Sequence, residues 1–376
     1  MISEVRIQNY KCLRDVTVNL ERFTVFVGAN GSGKTSVLQA LDLLCRAFRA
    51  EQLGQPGFQR QPDELDLEYR SNRSYGTAEE VELSCVSGDI RYRYRTGAQP
   101  QQHGQKWAGE GAAFATQLAA MVSTPEIIQK WAGEGAAFAT EGNSPVWKQW
   151  QPQHGMLPNP VWLRLEAPLL RQHQGPPHGF SHGPDPRLMD VNGSGMHTAL
   201  ASMALEDPDE WRKLQDDLRR IVPSVLRLRH TPQSELLFDT INGKGLKAIQ
   251  VSEGTLLTLG LLAAIHGVNE PGVLLLDDLD RALHPKAQRE LIDLLRGVQA
   301  TNPDIQIVGS THSPYLLDGM KPNEVLVTSL REDGSTACEP LTRHPKFEKW
   351  KEEFHPGEMW SFFGEQWVAG AEVATK

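Results

Sequence analysis

The eight residues Gly28-Ala29-Asn30-Gly31-Ser32-Gly33-Lys34-Thr35 constrain this chain more than any other stretch. They follow a β-rich run, Thr24-Val25-Phe26-Val27, and precede Val37, Leu38, Leu41, Leu44, Ala47 and Phe48, which recur at helical spacing. Gly-x4-Gly-Lys-Thr between a strand and a helix is the pattern of a phosphate-binding loop. In such a loop successive backbone N–H groups and the helix N-terminus face a polyphosphate, and the glycines let the main chain approach it closely. Gly28, Asn30, Gly31, Ser32, Gly33, Lys34, Thr35 and Ser36 are therefore candidate nucleotide-binding residues. Lys34 is expected to reach the β and γ phosphates of ATP, and the Thr35 hydroxyl to bind Mg²⁺.

A second run supplies the partner signal. Val273-Leu274-Leu275-Leu276 reads as a buried strand and ends in Asp277-Asp278. Burial explains the aliphatic residues but not two adjacent carboxylates, and parallel sheets bind ligands at that end of their strands. Asp277 is the candidate Mg²⁺ ligand (Walker B), and Asp278 the candidate general base that orients the attacking water. Further strands are expected around Val5 and Ile7, at Val16, Val18 and Leu20, at Ile305 to Val308 and at Glu324 to Val327. Helices are expected after Asp207-Pro208, where an aspartate cap precedes a proline at the first helical position, after Ser252, and over Leu291 to Leu295. This alternation predicts an α/β fold with a mostly parallel sheet.

The chain has 376 residues, enough for two to three domains at roughly 150 each. From about 51 to 200 its texture changes to Gln, Pro, Gly and His, with strand-like Val81-Glu82-Leu83 and Ile90 to Tyr94 set within it as an antiparallel layer. There the twelve residues 105–116 recur letter for letter as 129–140. Two copies fall short of the roughly three repeats a solenoid needs, so the repeat reads as a local duplication or as an error in the recorded sequence, and no function is assigned to it. No apolar run approaches the ~20 residues of a membrane helix, the opening residues show no secretory signal, and four scattered cysteines form no zinc or disulfide pattern. The expectation is a cytoplasmic protein that makes no membrane contact.

Asn9-Tyr10-Lys11, GANGSGKTS, Ser252-Glu253-Gly254-Thr255, Leu274 to Pro285 and Ser310-Thr311-His312-Ser313-Pro314 resemble, in this order, the ABC-type ATPases of the RecF/SMC/OLD branch. The likeness is to the bacterial stand-alone AAA family ATPases of that branch, many of them found in anti-phage defence operons. It implies a P-loop NTPase fold with an ABC-type head, split over residues 1–50 and 220–345, with an inserted β and helical or loop region at 51–219 and a tail at 346–376. Through the resemblance, Ser252 and Gly254 become the signature motif that contacts the γ-phosphate held by the other subunit of a head-to-tail homodimer, though Ser252 also reads as a plain helix cap. His312 becomes the γ-phosphate-sensing switch. A homodimer or higher oligomer and a separate effector, a TOPRIM-like nuclease, are the implied partners.

Two departures stand out. Asp278 stands where the resemblance places a catalytic glutamate and is one methylene shorter, so either the water sits closer, Asp280 shares the role, or hydrolysis is slow. His284 stands where many relatives carry an aspartate, and the Q-loop glutamine is not identifiable among the many between Thr35 and Ser252. The net charge of −9 excludes coating of nucleic acid through overall positive charge, leaving a local groove. Arg91, Arg93 and Arg95, and Arg219, Arg220, Arg227 and Arg229, read first as solvated faces and second as contacts to DNA phosphates. The function expected is an ATP-hydrolysing, dimerising sensor in DNA-related bacterial defence. The alternatives are a RecF-type repair ATPase and a transporter energy subunit, the latter disfavoured by the long interval between Thr35 and Ser252.

Overall fold

The computed structural model describes residues 1–52, 81–87, 90–96, 159–172, 189–231, 235–267 and 272–370. The exact duplication and the Gln/Pro-rich stretches around 54–57 and 99–104 lie outside the described residues, as do the side chains of Ala47, Phe48, Arg91, Arg93 and Arg95. The chain opens with β1 (Ile2–Tyr10), β2 (Leu13–Asn19) and β3 (Phe23–Gly28), then helix α1 (Lys34–Gln52), β4 (Val81–Ser87), β5 (Ile90–Thr96) and β6 (Asn159–Leu163). Next come α2 (Ala167–Leu170), α3 (Met196–Glu206), α4 (Pro208–Ile221), β7 (Val225–His230), β8 (Leu236–Thr240), β9 (Gly243–Lys247), α5 (Glu253–Gly267), β10 (Gly272–Leu276) and α6 (Pro285–Thr301). It continues through β11 (Gln306–Thr311), α7 (Pro314–Leu317), β12 (Val325–Leu330), β13 (Thr336–Pro340), α8 (Phe347–Trp350) and α9 (Pro356–Phe363).

The central sheet has the order β13-β12-β3-β11-β10-β6, parallel throughout except for β13. Its inner strands β3, β10 and β11 are buried on both faces, as aliphatic runs such as Val273 to Leu276 require. Alternate residues point into two separate cores. Phe23, Val25, Val27, Leu274, Leu276 and Ile307 join the helices α3 to α6 on one side. Phe26, Val273, Leu275, Val308 and Leu326 meet α1 and an antiparallel sheet, β2-β1-β4-β5, on the other. Helix α1 therefore lies between two sheets and touches β1, β4, β3, β10 and β11. A third, antiparallel sheet of β7, β8 and β9 stands beside α4.

The strands and helices expected from the sequence are present, including the Asp207 cap, whose side chain accepts from Glu210 N at 3.1 Å. Two stretches placed in the inserted region belong to the main body. Strand β6 pairs with β10 at the sheet edge, where the missing donor of Pro160 is tolerated. Met196, Leu200, Leu214 and Leu218 of α3 and α4 are buried in the same core as the central sheet. The tail joins that core too, through Met359 and Val368. Among the described residues no helix is long and apolar enough to cross a membrane.

Candidate nucleotide-binding site

The Gly28–Thr35 loop turns tightly between the buried end of β3 and the first turn of α1. Gly33 has φ +100°, and a Cβ there would stand 2.3 Å from Thr336 Oγ1, so only glycine fits. Ser32 Oγ shares a 2.6 Å hydrogen bond with Thr328 Oγ1, which ties the loop to β12. Lys34 folds back and donates from Nζ to the carbonyls of Gly28 and Ala29, both at 2.9 Å. Burial lowers its pKa from the ordinary lysine value, against the opposing pull of Asp278 and Asp277.

The carboxyl ends of β10 and β11 complete the site. Thr35 Oγ1 lies 2.9 and 3.1 Å from the two carboxylate oxygens of Asp277. Ser310, on the neighbouring strand, donates to Asp277 Oδ1 at 2.6 Å and accepts from the Asp278 amide at 2.9 Å. Asp278 itself sits at φ +56°, a left-handed conformation that costs a non-glycine residue about 1–3 kcal/mol. Desolvation, then the neighbouring charge of Asp277, raises its carboxyl above the usual aspartate range, while His312 and Arg164 pull it back down. Asp280 adds to the negative charge near Asp278 and is itself bonded to the end of β11. Its Oδ1 accepts from Thr311 Oγ1 at 2.6 Å and from the His312 amide at 3.0 Å, so it orders the turn that carries His312.

The structure thus brings Lys34, Thr35, Asp277, Asp278 and His312 to one edge of the central sheet. It sets Ser252 and Gly254 against the loop that follows Asp278. Ser252 Oγ accepts from Thr255 N at 3.2 Å, the geometry of a helix cap. A Cβ on Gly254 would meet Ala282 O at 2.4 Å, and Ala282 is itself at φ +56°. His284 caps α6, accepting from Lys286 N at 3.3 Å. The arginine cluster is largely neutralised. Arg219 pairs with Asp216, Arg220 with Glu290 at 2.7 Å, and Arg229 with both oxygens of Asp239 at 3.0 and 2.7 Å. One residue of this edge had no signal in the sequence. Arg164, just past β6, places Nε 3.8 Å from Asp277 Oδ2.

The fold is a P-loop ATPase fold with the architecture of an SMC head. The head of an SMC protein solved with the C-terminal winged-helix domain of ScpA superposes with a TM-score of 0.52 at 14% identity, over 92% of this chain and 99% of that one. The SMC head with an extended coiled coil, bound to the C-terminal domain of ScpA from Pyrococcus furiosus, gives 0.50 at 11% identity over 94% and 99%. Residues 1–85 match the family profile "AAA ATPase domain", and residues 168–318 match "AAA domain, putative AbiEii toxin, Type IV TA system". These two stretches are thus similar to AAA family ATPase domains, each over less than half of the chain.

Among curated relatives, the OLD nuclease of Thermus scotoductus is 37% identical over 59 residues, 14% of this chain and 11% of that protein. The Septu protein PtuA of Bacillus thuringiensis is 33% identical over 70 residues, 19% and 17% of the two chains. The "Retron Vc95 probable ATPase" of Vibrio cholerae is 24% identical over 132 residues, 31% and 25%. The chain thus matches a quarter or less of each curated relative.

Proposed function

We propose that this chain binds ATP with Mg²⁺ at the Gly28–Thr35 loop and hydrolyses it to ADP and phosphate. We further propose that it does so as the sensor and regulatory ATPase of a cytoplasmic, DNA-related bacterial defence system with a separate effector, a TOPRIM-like nuclease. The observation that carries the chemistry is the contact of Thr35 Oγ1 with the Asp277 carboxylate. It joins the two motifs through hard oxygen donors, a donor set that suits Mg²⁺ held jointly with phosphate oxygens. Thr35 and Asp277 would hold Mg²⁺, which would supply positive charge to offset the negative charge of the phosphates.

The chain's own groups do the rest. Lys34 exchanges its two loop carbonyls for phosphate oxygens. Asp278, held above the usual aspartate range, accepts a proton from the attacking water as its oxygen approaches the γ phosphorus and the bond to the β-phosphate oxygen breaks. His312 faces the same phosphate, and Asp280 positions it. Ser252 and Gly254, at the N-terminus of a 15-residue helix, contact the γ-phosphate of a second copy in a head-to-tail dimer. The relatives' names support the defence setting.

The test combines three variants of the full chain, read by nucleotide binding, phosphate release and light scattering. Lys34→Ala should lose ATP binding. Asp278→Asn should bind ATP, accumulate the dimer and hydrolyse about 10²–10⁴-fold more slowly. Ser252→Arg should bind ATP at its own loop but neither dimerise nor turn over. Wild-type turnover in Lys34→Ala would overturn the site, and wild-type turnover in Ser252→Arg would overturn the composite dimer.

A further inference from the structure

Leu163 pairs with Leu276 across β6 and β10, and Asp277 N donates to Leu163 O at 2.9 Å. The next residues of the two strands, Arg164 and Asp277, therefore leave the sheet side by side at the ligand-binding edge. The Arg164 backbone is pinned there by its amide, which donates to Val191 O at 2.8 Å. Its side chain is not pinned in the same way. The Arg164 side chain is 54% exposed and that of Asp277 only 1%, and the 3.8 Å separation exceeds the 2.7–2.9 Å of a committed charge-assisted hydrogen bond. Asp277 is already satisfied by Thr35 and Ser310. With Asp277, Asp278 and Arg281, Arg164 forms the charged part of the wall of a cavity of about 40 Å³ whose remaining wall is mostly leucine. A guanidinium held to a buried acid by one long contact only, standing beside the candidate metal ligand and the candidate base, has the position and the planar donor set to receive phosphoryl oxygens.

We propose that Arg164 is the γ-phosphate reader of this site: it turns from Asp277 to donate to γ-phosphoryl oxygens, and so makes the site prefer ATP over ADP. The proposal rests on the nucleotide reading above and adds a residue to it. Lys34 and the loop amides hold the phosphates shared by both nucleotides. Arg164 holds the one that only ATP has, and no bond to the arginine forms or breaks. As charge spreads over the three γ oxygens during hydrolysis, a positioned arginine offsets it, which elsewhere amounts to about 10³–10⁵ in turnover.

The experiment uses the full chain with Mg²⁺, titrated with ADP and with the non-hydrolysable analogue AMP-PNP, beside ATP turnover. Arg164→Gln and Arg164→Met should bind ADP as the wild type does, but bind AMP-PNP roughly 10–100-fold more weakly. Arg164→Lys keeps the charge without the fork and should recover part of that loss. Circular dichroism and melting temperature establish that each variant is folded, and the two neutral variants guard against a misfolded one. Equal losses for ADP and AMP-PNP, or none for either, would overturn the proposal, since a purely structural ion pair has no means of distinguishing them. Lys34→Ala separates the two levels, because it should lose both nucleotides. If the wild type bound neither, the nucleotide reading and this inference would fall together.

Discussion

A single methyl group at residue 33 tests how finely the loop is built. Gly33 sits at φ +100° and faces the fully buried Thr336, so alanine there meets both backbone strain and a side chain with no room to retreat. Strain of about 1–3 kcal/mol is expected, and it displaces the amide that should face the phosphates. Gly33→Ala should therefore lower the melting temperature and weaken ADP binding by at least roughly tenfold, as calorimetry would show. Unchanged affinity would mean that the amide at 33 does not face the nucleotide. The same scale shows how far residue identities could be read from sequence. Lys34, Thr35, Asp277 and Asp278 announce themselves because little besides a phosphate site requires a glycine-rich loop between strand and helix together with a strand that ends in two acids. Asp280 and Ser252 do not. An acid two residues past Asp278 is equally a base or a turn-former until Thr311 and His312 are seen hydrogen-bonded to it. Arg164 was silent because its meaning depends on which strand lies beside β10.

At the scale of elements, α1, β3, β10 and β11 were legible because their apolar runs are long and their flanks carry turn or cap residues. Strand β6 was not, since five residues that include Pro160 within Gln/Pro-rich sequence look like loop until the sheet edge accepts them. Helices α4 and α5 meet through a feature that no periodicity predicts. The largely buried His266 near the end of α5 contacts Glu210 at 2.6 Å and Asp217 at 3.1 Å, both on α4, and Lys213 in turn pairs with Glu210 at 2.8 Å. Burial works against the charged ring, but the hydrogen bonds to Asp217 and Glu210 prevail, and His266 titrates above its ordinary value. A raised folded-state pKa means that the stabilisation is complete below the unfolded value of about 6.5 and fades as pH rises through the folded one. His266→Gln should cost about 1–3 kcal/mol at pH 6 and progressively less above neutrality. The check is thermal melts of both proteins across that range. A pH-independent difference would show that the ring is held neutral.

For the whole molecule, the stretch after β13 packs against the strands that back the candidate site. His344 stacks on Phe363 with ring centroids 4.3 Å apart and meets Trp367 edge-on at 5.1 Å. The turn Gln366–Ala369 packs on β12 and β13, the strands that present Thr328 and Thr336 to the loop. Trp367→Ala should therefore destabilise the protein by about 2–4 kcal/mol and also weaken ADP binding. A lower melting temperature with unaltered ADP affinity would confine the tail to anchorage. The sheet order has a consequence for synthesis as well. Strand β3, which launches the phosphate loop, is flanked on both sides by β11 and β12, and the Ser32–Thr328 contact spans 296 residues of chain. At roughly 5–20 residues per second, the ribosome needs about 15–60 s between making the loop and making the strands that shape it. During that interval the nascent chain has the motif but not the site, so nucleotide binding at the loop has to wait until β11 and β12 have been made.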